Sequence, residues 1–203
     1  MTEPAHPSSP LALAVLALLF EREMHPYEMA ATMKERGKEN SIKLRYGSLY
    51  TVIAALQRDG LIVPRETVRQ GKRPERTVFA ITPPGQETLI RWMTAMLGRP
   101  AKEYPLFEAG LSLLPVLPPE AVMPLLEQRL VRLDATIAGS RAELAKAAGA
   151  GLPALFLVEH DYELAMLETE RRFVADLAAR IRDGSLDGLA FWRGWHAERE
   201  ARP

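Results

Sequence analysis

The sequence predicts a mainly α-helical protein that contains one small β-hairpin. Apolar side chains recur every three or four positions through most of the chain, which is the period of an amphipathic helix. Two strand-like runs, 61–68 and 77–82, interrupt this period and are joined by a segment that contains Gly and Pro. Two long helical patterns, 119–148 and 153–183, occupy much of the second half. The hairpin is therefore expected in an N-terminal domain and the long helices in a C-terminal one.

Composition excludes several classes of protein. Hydrophobic residues make up 47% and charged residues 26% of the chain, which is typical of a soluble globular protein. There is no Cys, so disulfides, thiolate metal sites and thiol nucleophiles are excluded. The longest apolar run, 11–20, is much shorter than the roughly 20 residues that span a bilayer. We therefore expect no transmembrane helix and a cytoplasmic location.

Charge is distributed unevenly along a chain whose formal net charge is zero. Residues 1–97 have a net charge of +3 and residues 98–203 a net charge of −3. The stretch 34–76 contains 11 basic and 5 acidic residues. Such a local basic stretch can bind phosphates, while the acidic half limits non-specific attraction to nucleic acid. A solvated surface of mixed charge explains the same numbers equally well.

The first two helices are predicted by their start and stop signals. Ser9-Pro10 combines a preferred N-cap with a proline in the first turn, and the following run to about Arg22 is apolar nearly all round. This pattern predicts a buried central helix. A second helix starts at His25-Pro26 and ends at Gly37. Residues 1–9, which lack the basic start of a signal peptide, are expected to be a disordered leader.

The stretch 44–62 contains a third helix with two contrasting faces. Asp59-Gly60 ends this helix, because Gly tolerates the left-handed conformation that follows a helix C-terminus. One face is apolar, and the other is small, hydroxylated and basic, as a helix that enters the DNA major groove requires. An ordinary surface helix that packs through one face is the alternative. The apolar residues are Leu49, Val52, Ile53 and Leu56, and the polar face carries Ser48, Tyr50, Thr51, Ala54 and Arg58.

The two strand-like runs predict a hairpin with a positively charged tip. Its connecting segment, 69–76, contains four basic residues and one acidic residue. Three short helices followed by a basic hairpin is the order of a winged helix-turn-helix, in which the third helix reads the groove and the wing reaches flanking phosphates. A solvated hairpin loop is the alternative. A fourth helix follows from Pro83 to about Leu97, and the domain is expected to span 10–98.

The second half, 99–184, predicts a helical dimerisation domain. A short helix, 106–114, precedes the two long helical patterns. Two long antiparallel helices cannot bury their wide apolar stripes on each other alone, so a second subunit is expected to cover the rest. The tail, 185–203, carries Phe191, Trp192 and Trp195. It either packs as a last helix or is partly disordered.

Several motifs taken together resemble the PadR family of bacterial transcriptional regulators. The similarity covers most of the chain and is more specific in the N-terminal domain, at about 11–97, than in the more variable helical domain. No single motif would carry it. The motifs are Tyr46-Gly-Ser-Leu-Tyr50, Leu56, Asp59-Gly60-Leu61-Ile62, Gly71-Lys72-Arg73-Pro74, and Phe79-Ala-Ile81-Thr82 followed by Gly85.

This resemblance implies a homodimer that binds a roughly palindromic operator in double-stranded DNA and usually represses transcription. Its two recognition helices would lie about 34 Å apart, one turn of DNA. For Tyr50 the alternative is a ring that packs against the second helix, with only its hydroxyl reaching a phosphate. The groove-facing candidates are Tyr46, Ser48, Tyr50 and Thr51, and the wing-tip candidates are Lys72 and Arg73.

The resemblance also implies a small-molecule effector in some members of the family. These members bind flat aromatic ligands in the dimer interface, where a Trp of the fourth helix stacks on the ligand. Trp92 lies on the matching helix of this chain. A Trp that belongs to the core or to a subunit interface is the alternative, and it is the more common role for a buried indole.

Residues typical of catalytic and metal sites are not grouped in this sequence. The four histidines are far apart, and none has HExxH spacing. There is no GxSxG, Walker or GxGxxG motif. The sequence therefore predicts a regulator with no enzymatic activity, no cofactor and no metal. A helical adaptor or ligand sensor, which uses a winged-helix fold to bind protein rather than DNA, is the second hypothesis, and the basic wing favours DNA. The histidines are His6, His25, His160 and His196.

Overall fold

The computed structural model describes residues 9–39, 41–42, 45–68 and 76–201. Within these residues the chain forms eight α-helices and one two-stranded antiparallel sheet. It divides between Glu103 and Tyr104 into two compact units. The mainly helical architecture with a single small hairpin confirms the predicted fold class. None of the helices in the described part combines the length and hydropathy that a bilayer crossing requires.

The N-terminal unit contains four helices and the hairpin, in the order that the sequence predicts. Its first helix is capped by the Ser9 hydroxyl, which accepts a hydrogen bond of 3.2 Å from the Leu11 amide. Residues 1–8 of the predicted leader lie outside the described residues. The elements are α1 (Pro10–Glu21), α2 (Pro26–Glu35), α3 (Tyr46–Arg58), β1 (Ile62–Val68), β2 (Arg76–Ile81) and α4 (Pro83–Gly98).

Helix α1 forms the centre of the N-terminal core, as its uniformly apolar sequence predicts. Val15 and Leu16 are both fully buried. Side chains from α2, α3, the hairpin and α4 belong to the same buried cluster. Burying apolar surface contributes about 25 cal/mol per Å², so one cluster that draws on every element holds the unit together. The orientation of α3 is thereby fixed by the core.

The hairpin has an irregular register and a third segment that the sequence did not reveal. Its strands pair from Ile62 with Ile81 outward, and the register shifts between Pro64 and Thr67. A shift next to proline is expected, because proline cannot donate a ladder hydrogen bond. On the other side of β2, the Met24 amide donates to the Phe79 carbonyl at 3.2 Å, and the Phe79 amide donates back at 3.0 Å. The α1–α2 connection therefore extends the sheet.

The end of α3 is a Schellman motif that leads directly into β1. Gly60 has a φ of +70°, the left-handed conformation that glycine adopts most easily. Its amide donates to the Gln57 carbonyl at 3.0 Å, and the Leu61 amide donates to the Leu56 carbonyl at 2.9 Å. This confirms Asp59-Gly60 as the helix stop.

Helix α4 begins against this same turn. The Thr82 amide donates to the Leu61 carbonyl at 3.0 Å, and the Thr82 hydroxyl donates to the Gly60 carbonyl at 2.8 Å. The same hydroxyl caps α4 by accepting from the Gly85 amide at 3.1 Å. A Cβ atom on Gly85 would lie 2.1 Å from the Leu61 carbonyl oxygen. The α3–β1 turn and the start of α4 therefore pack backbone to backbone, and we call this contact the turn–helix junction.

The C-terminal unit is built on two long helices. Val122, Leu126 and Leu133 of α6 are buried with Val174, Leu177 and Ile181 of α7. Ion pairs tie the helices together along their exposed edges, among them Asp134–Arg171 at 2.9 Å and Glu127–Arg182 at 2.8 Å. The helices are α5 (Leu106–Ser112), α6 (Pro119–Gly149), α7 (Val158–Arg182) and α8 (Leu189–Glu200).

The tail forms helix α8 and joins the core of the C-terminal unit. Leu189 and Trp192 are buried in the same cluster as α6 and α7. The Trp192 indole Nε1 donates to the Leu117 carbonyl at 2.8 Å, and Arg193 pairs with Glu120 at 2.9 Å. Of the two possibilities that the sequence left open, the described part of the tail takes the packed helix.

The long helix predicted from 153 begins later in the structure. Residues Ala154–Phe156 form a short 3-10 turn, and α7 starts at Val158. Of the seven apolar residues that recur through the predicted helix at three- and four-residue steps, only Leu177 and Ile181 are buried in the unit. This apolar stripe is therefore only partly covered within one chain. Its exposed members are Leu155, Val158, Tyr162, Met166 and Phe173.

We predict that Gly85→Ala destabilises the N-terminal unit. The added methyl group would overlap the Leu61 carbonyl, and relieving such overpacking costs about 1–3 kcal/mol. Urea unfolding followed by circular dichroism measures the change. Gly98→Ala at the other end of α4 is the matched control, because nothing lies within 4 Å of its Cβ position. Equal stability of the two variants would contradict the turn–helix junction.

Candidate nucleic-acid interface

Helix α3 is held by one face and displays the other. Leu49 is fully buried, and Ile53 and Leu56 are each 4% exposed. The opposite face is exposed at every position that the sequence assigned to it, with Tyr50 54% exposed. The exposed residues are Ser48, Tyr50, Thr51, Ala54 and Arg58. The core thus anchors a helix whose slim, polar face is open along its length.

The exposed hydroxyls differ in what they offer to a ligand. The Thr51 hydroxyl donates to the Gly47 carbonyl at 3.0 Å, so it faces outward as an acceptor with its methyl group beside it. Ser48 makes no hydrogen bond to any residue that the structure describes, so it can donate or accept. Both side chains can therefore contact bases or phosphates in different ways.

Tyr50 lies on the exposed face of α3. With 54% of the residue exposed, its side chain is not enclosed in the core. Contact with DNA and packing of the ring against α2 both stay predictions for this residue. Tyr46, the other tyrosine of the motif, is the first residue of α3. Its side chain lies outside the described part of the structure.

The N-terminus of α3 lacks the usual capping groups. Arg45 occupies the N-cap position with extended backbone, its side chain makes no capping hydrogen bond, and the first turn has no acidic residue. Helix N-termini carry unpaired amides and a partial positive charge, which favours anions. Arg45 is exposed and forms no ion pair with a described residue. No motif in the sequence marks Arg45, although the missing Ser, Thr, Asp or Asn at the N-cap was a signal for it.

Several arginines of the basic stretch are compensated within the fold. Arg36 binds both carboxylate oxygens of Glu21, at 2.6 and 2.8 Å, and this contact lowers the pKa of Glu21. Arg58 pairs with Asp59 at 3.0 Å, and Arg65 lies 3.6 Å from Glu23. The positive charge near α3 is therefore smaller than the sequence count suggests, and Arg45 becomes more prominent.

The predicted wing tip lies between the two paired strands along the chain. Lys72 and Arg73 lie outside the described residues, in the segment between β1 and β2. The strands place the start and end of that segment side by side, since Val68 pairs with Arg76. A role for Lys72 and Arg73 at the wing tip stays a prediction.

Trp92 belongs to the core of the N-terminal unit. The residue is 8% exposed and clusters with the buried side chains of α1, α3 and the hairpin. Its indole N–H is buried and has no acceptor among the described residues. These observations favour the core role, and stacking of an effector on Trp92 stays a prediction.

The arrangement is suited to recognition rather than to catalysis. The described residues contain no group of three or more His, Asp or Glu side chains that could hold a metal ion. What the unit presents instead is an uncapped helix start, two hydroxyls and a tyrosine, next to a hairpin.

Residues 15–91 match the model of the transcriptional regulator PadR-like family. They run from α1 into α4 and include α3 and both strands. This part of the chain is similar to the PadR-like family of transcriptional regulators. The family resemblance that the sequence indicated is thereby confirmed, and the family is one of regulators rather than enzymes. Comparison with curated proteins gives no match.

Solved structures show that the PadR-like fold extends through the C-terminal unit. Bacillus subtilis PadR in complex with operator DNA has a TM-score of 0.70 and 19% identity, covering 85% of this chain and 99% of that one. The same protein in complex with p-coumaric acid has a TM-score of 0.69 and 16% identity, covering 85% and 98%. The PadR-like regulator BC1756 of Bacillus cereus has a TM-score of 0.57 and 16% identity, covering 86% and 99%. At these identities the likeness is one of fold.

We predict effects of very different size on stability for two neighbouring residues of α3. Leu49→Ala removes a fully buried side chain and should cost about 2–5 kcal/mol. Tyr50→Ala changes an exposed position and should alter stability by no more than about 0.5 kcal/mol. Urea unfolding of both variants measures the difference. A large loss for Tyr50→Ala would show that its ring is structural and would remove it from the candidate interface.

Proposed function

We propose that this protein is a homodimeric transcriptional regulator that binds a pseudo-palindromic operator through α3 and acts as a repressor in the cytoplasm. The observation that carries the proposal is the fixed exposure of α3, whose apolar face is buried while its polar face is open. The family match supports regulation of transcription. The fold shared with a PadR bound to operator DNA supports DNA as the partner.

In this proposal α3 binds DNA through its start and its polar face. Phosphate oxygens accept from the unpaired first-turn amides of α3, with the Arg45 guanidinium beside them. Ser48, Tyr50 and Thr51 then face base edges or the adjoining backbone. The Thr51 methyl suits a thymine methyl, and its free lone pairs suit an adenine or cytosine amino group.

The wing and Tyr46 complete the proposed interface. Lys72 and Arg73 contact phosphates beside the groove, which adds affinity without adding sequence preference. Tyr46, at the first position of α3, contacts the DNA near the phosphate held by the helix start. The compensation of Arg36, Arg58 and Arg65 by carboxylates reduces the electrostatic contribution of the rest of the unit.

A second copy of the chain provides the two-fold symmetry that a palindrome requires. The exposed half of the α7 stripe offers apolar area to it, with Tyr162 69% and Phe173 50% exposed. Apolar side chains on α4 are also exposed, including Ile90 and Leu97. Symmetric pairing of such stripes is the usual way in which helical domains bury them. Two copies of α3 would then contact half-sites about 34 Å apart.

We further propose that a small aromatic effector controls DNA binding. A protein of the same fold forms a complex with p-coumaric acid. Trp92 is the effector contact suggested by the family resemblance, and its buried, unpaired indole N–H would then donate to the ligand. A cavity next to the indole would have to open first, because the residue is 8% exposed.

A protein-binding adaptor is the second candidate, and the compensated arginines favour it. An interface whose cations are already paired attracts DNA less strongly, whereas exposed apolar helix faces suit protein partners. Under this hypothesis α3 would contact protein, and duplex DNA would bind weakly and without sequence preference. The following experiment separates the two.

We predict sequence-specific binding to a duplex taken from upstream of the protein's own gene. Fluorescence anisotropy should give an affinity at least about a thousandfold tighter than for a scrambled duplex at moderate salt. Raising the salt concentration should weaken binding to both duplexes, and binding to the scrambled duplex should be lost first. Equal, weak binding to both duplexes would reject the regulator proposal in favour of the adaptor.

We predict two different effects for substitutions at the wing and on α3. Lys72→Ala with Arg73→Ala should weaken binding to every duplex, because phosphate contacts are lost. The slope of the logarithm of the binding constant against the logarithm of the salt concentration should become shallower by about one to two. Thr51→Ala or Ser48→Ala should change the preference among operator variants by about 1–3 kcal/mol where the residue contacts a base. Lys146→Ala, an exposed change on α6, is the control for loss of a positive charge outside the proposed interface. If all variants bind like the control, the proposed docking is wrong.

A further inference from the structure

The C-terminal unit contains an apolar groove between α5 and α6. Its volume is about 450 Å³, within the range of about 300–1,000 Å³ that small-molecule sites occupy. Leu111 and Leu114 line it from the α5 side, and Leu126 and Leu133 line it from α6. All of its lining residues lie in this unit, and Trp92 is not one of them.

One rim of the groove is polar and follows successive turns of α6. Gln128, Arg132 and Thr136 are spaced four residues apart, which aligns them along one edge of the helix. The Thr136 hydroxyl donates to the Arg132 carbonyl at 3.0 Å and keeps its lone pairs for an outside donor. An apolar floor beside one polar edge matches a molecule that has an apolar body and a polar end.

The charge of the groove is positive. Its lining includes Arg129 and Arg132 but no Asp or Glu. Arg129 is already engaged, since its Nε donates to Glu170 at 2.7 Å and its guanidinium lies 3.6 Å from the centre of the Phe107 ring. Arg132 is exposed and forms no ion pair with a residue that the structure describes. Its guanidinium is therefore the group available to an anion.

We propose that the α5–α6 groove binds a small organic acid, with the apolar body between α5 and α6 and the carboxylate on Arg132. A planar guanidinium can donate two parallel hydrogen bonds to one carboxylate. An uncharged apolar ligand would leave this cation without a partner, and a ligand without an apolar body would leave the floor exposed. This groove is a different site from the Trp92 contact proposed above, and only its regulatory meaning rests on the proposal that an effector controls DNA binding.

Gly110 provides a direct way to test the site. It lines the groove from α5, and nothing lies within 4 Å of its Cβ position. A larger side chain can therefore occupy the groove without displacing the fold. Gly139 on α6 also has open space at its Cβ position and is not among the groove's lining residues. Gly110→Leu is thus a blocking variant, with Gly139→Leu as its control.

The experiment is isothermal titration calorimetry of the full chain with trans-cinnamate and with octanoate. The neutral amide of each acid is titrated beside it. We expect at least one acid to bind, and its amide to bind about tenfold or more weakly, because the charge-assisted hydrogen bonds to Arg132 are lost. Arg132→Gln should weaken binding of the acid by a similar factor, whereas Lys146→Gln should leave it unchanged. Gly110→Leu should abolish binding, and Gly139→Leu should leave it unchanged.

Three results would overturn the proposal. In the first, neither acid binds at concentrations up to about 1 mM. In the second, an acid binds equally well to Gly110→Leu, so that its site lies elsewhere, as at Trp92. In the third, the amide and the acid bind alike. Light scattering of Gly110→Leu shows whether the groove instead contacts a second copy. Because the titration contains no DNA, its failure is distinct from a failure of operator binding.

Discussion

The turn–helix junction is the contact on which the geometry of the N-terminal unit depends. At this point the end of α3, the start of β1 and the start of α4 meet through backbone hydrogen bonds, with Thr82 serving both Gly60 and Gly85. The approach is so close that a Cβ on Gly85 would overlap the Leu61 carbonyl. A helix that reads DNA must keep a fixed position relative to its wing, and this junction joins both to the core.

The buried face of α3 leaves its other face free of any packing role in the core. Leu49, Ile53 and Leu56 supply the packing, so Ser48, Tyr50 and Thr51 can change without unfolding the unit. Several charged side chains near α3 form ion pairs within the unit. Arg36 holds the end of α1 through Glu21, and pairs of this exposed kind contribute little stability each. These ion pairs therefore mainly reduce the unpaired positive charge near α3.

The C-terminal unit shows how long helices leave surfaces for other molecules. Helices α6, α7 and α8 share one buried cluster, which covers only part of their apolar residues. The remainder includes two distinct surfaces, the exposed stripe of α7 and the groove between α5 and α6. The first consists of apolar side chains along one helix and is the surface proposed for a second subunit. The second is small, has an available arginine, and is the site proposed for an acid.

The sequence by itself determined the elements of this protein and the two faces of α3. Caps such as Ser9 and Gly60, and an apolar period of three to four residues, act between near neighbours and need no tertiary information. Tertiary structure decided the contacts between distant residues. Met24 pairs with Phe79, and Trp192 donates to the Leu117 carbonyl, 75 positions away. Such contacts depend on which surfaces pack together in the folded chain, as do the ion pair of Arg36 and the availability of Arg132. Local propensity does not determine which distant surfaces meet.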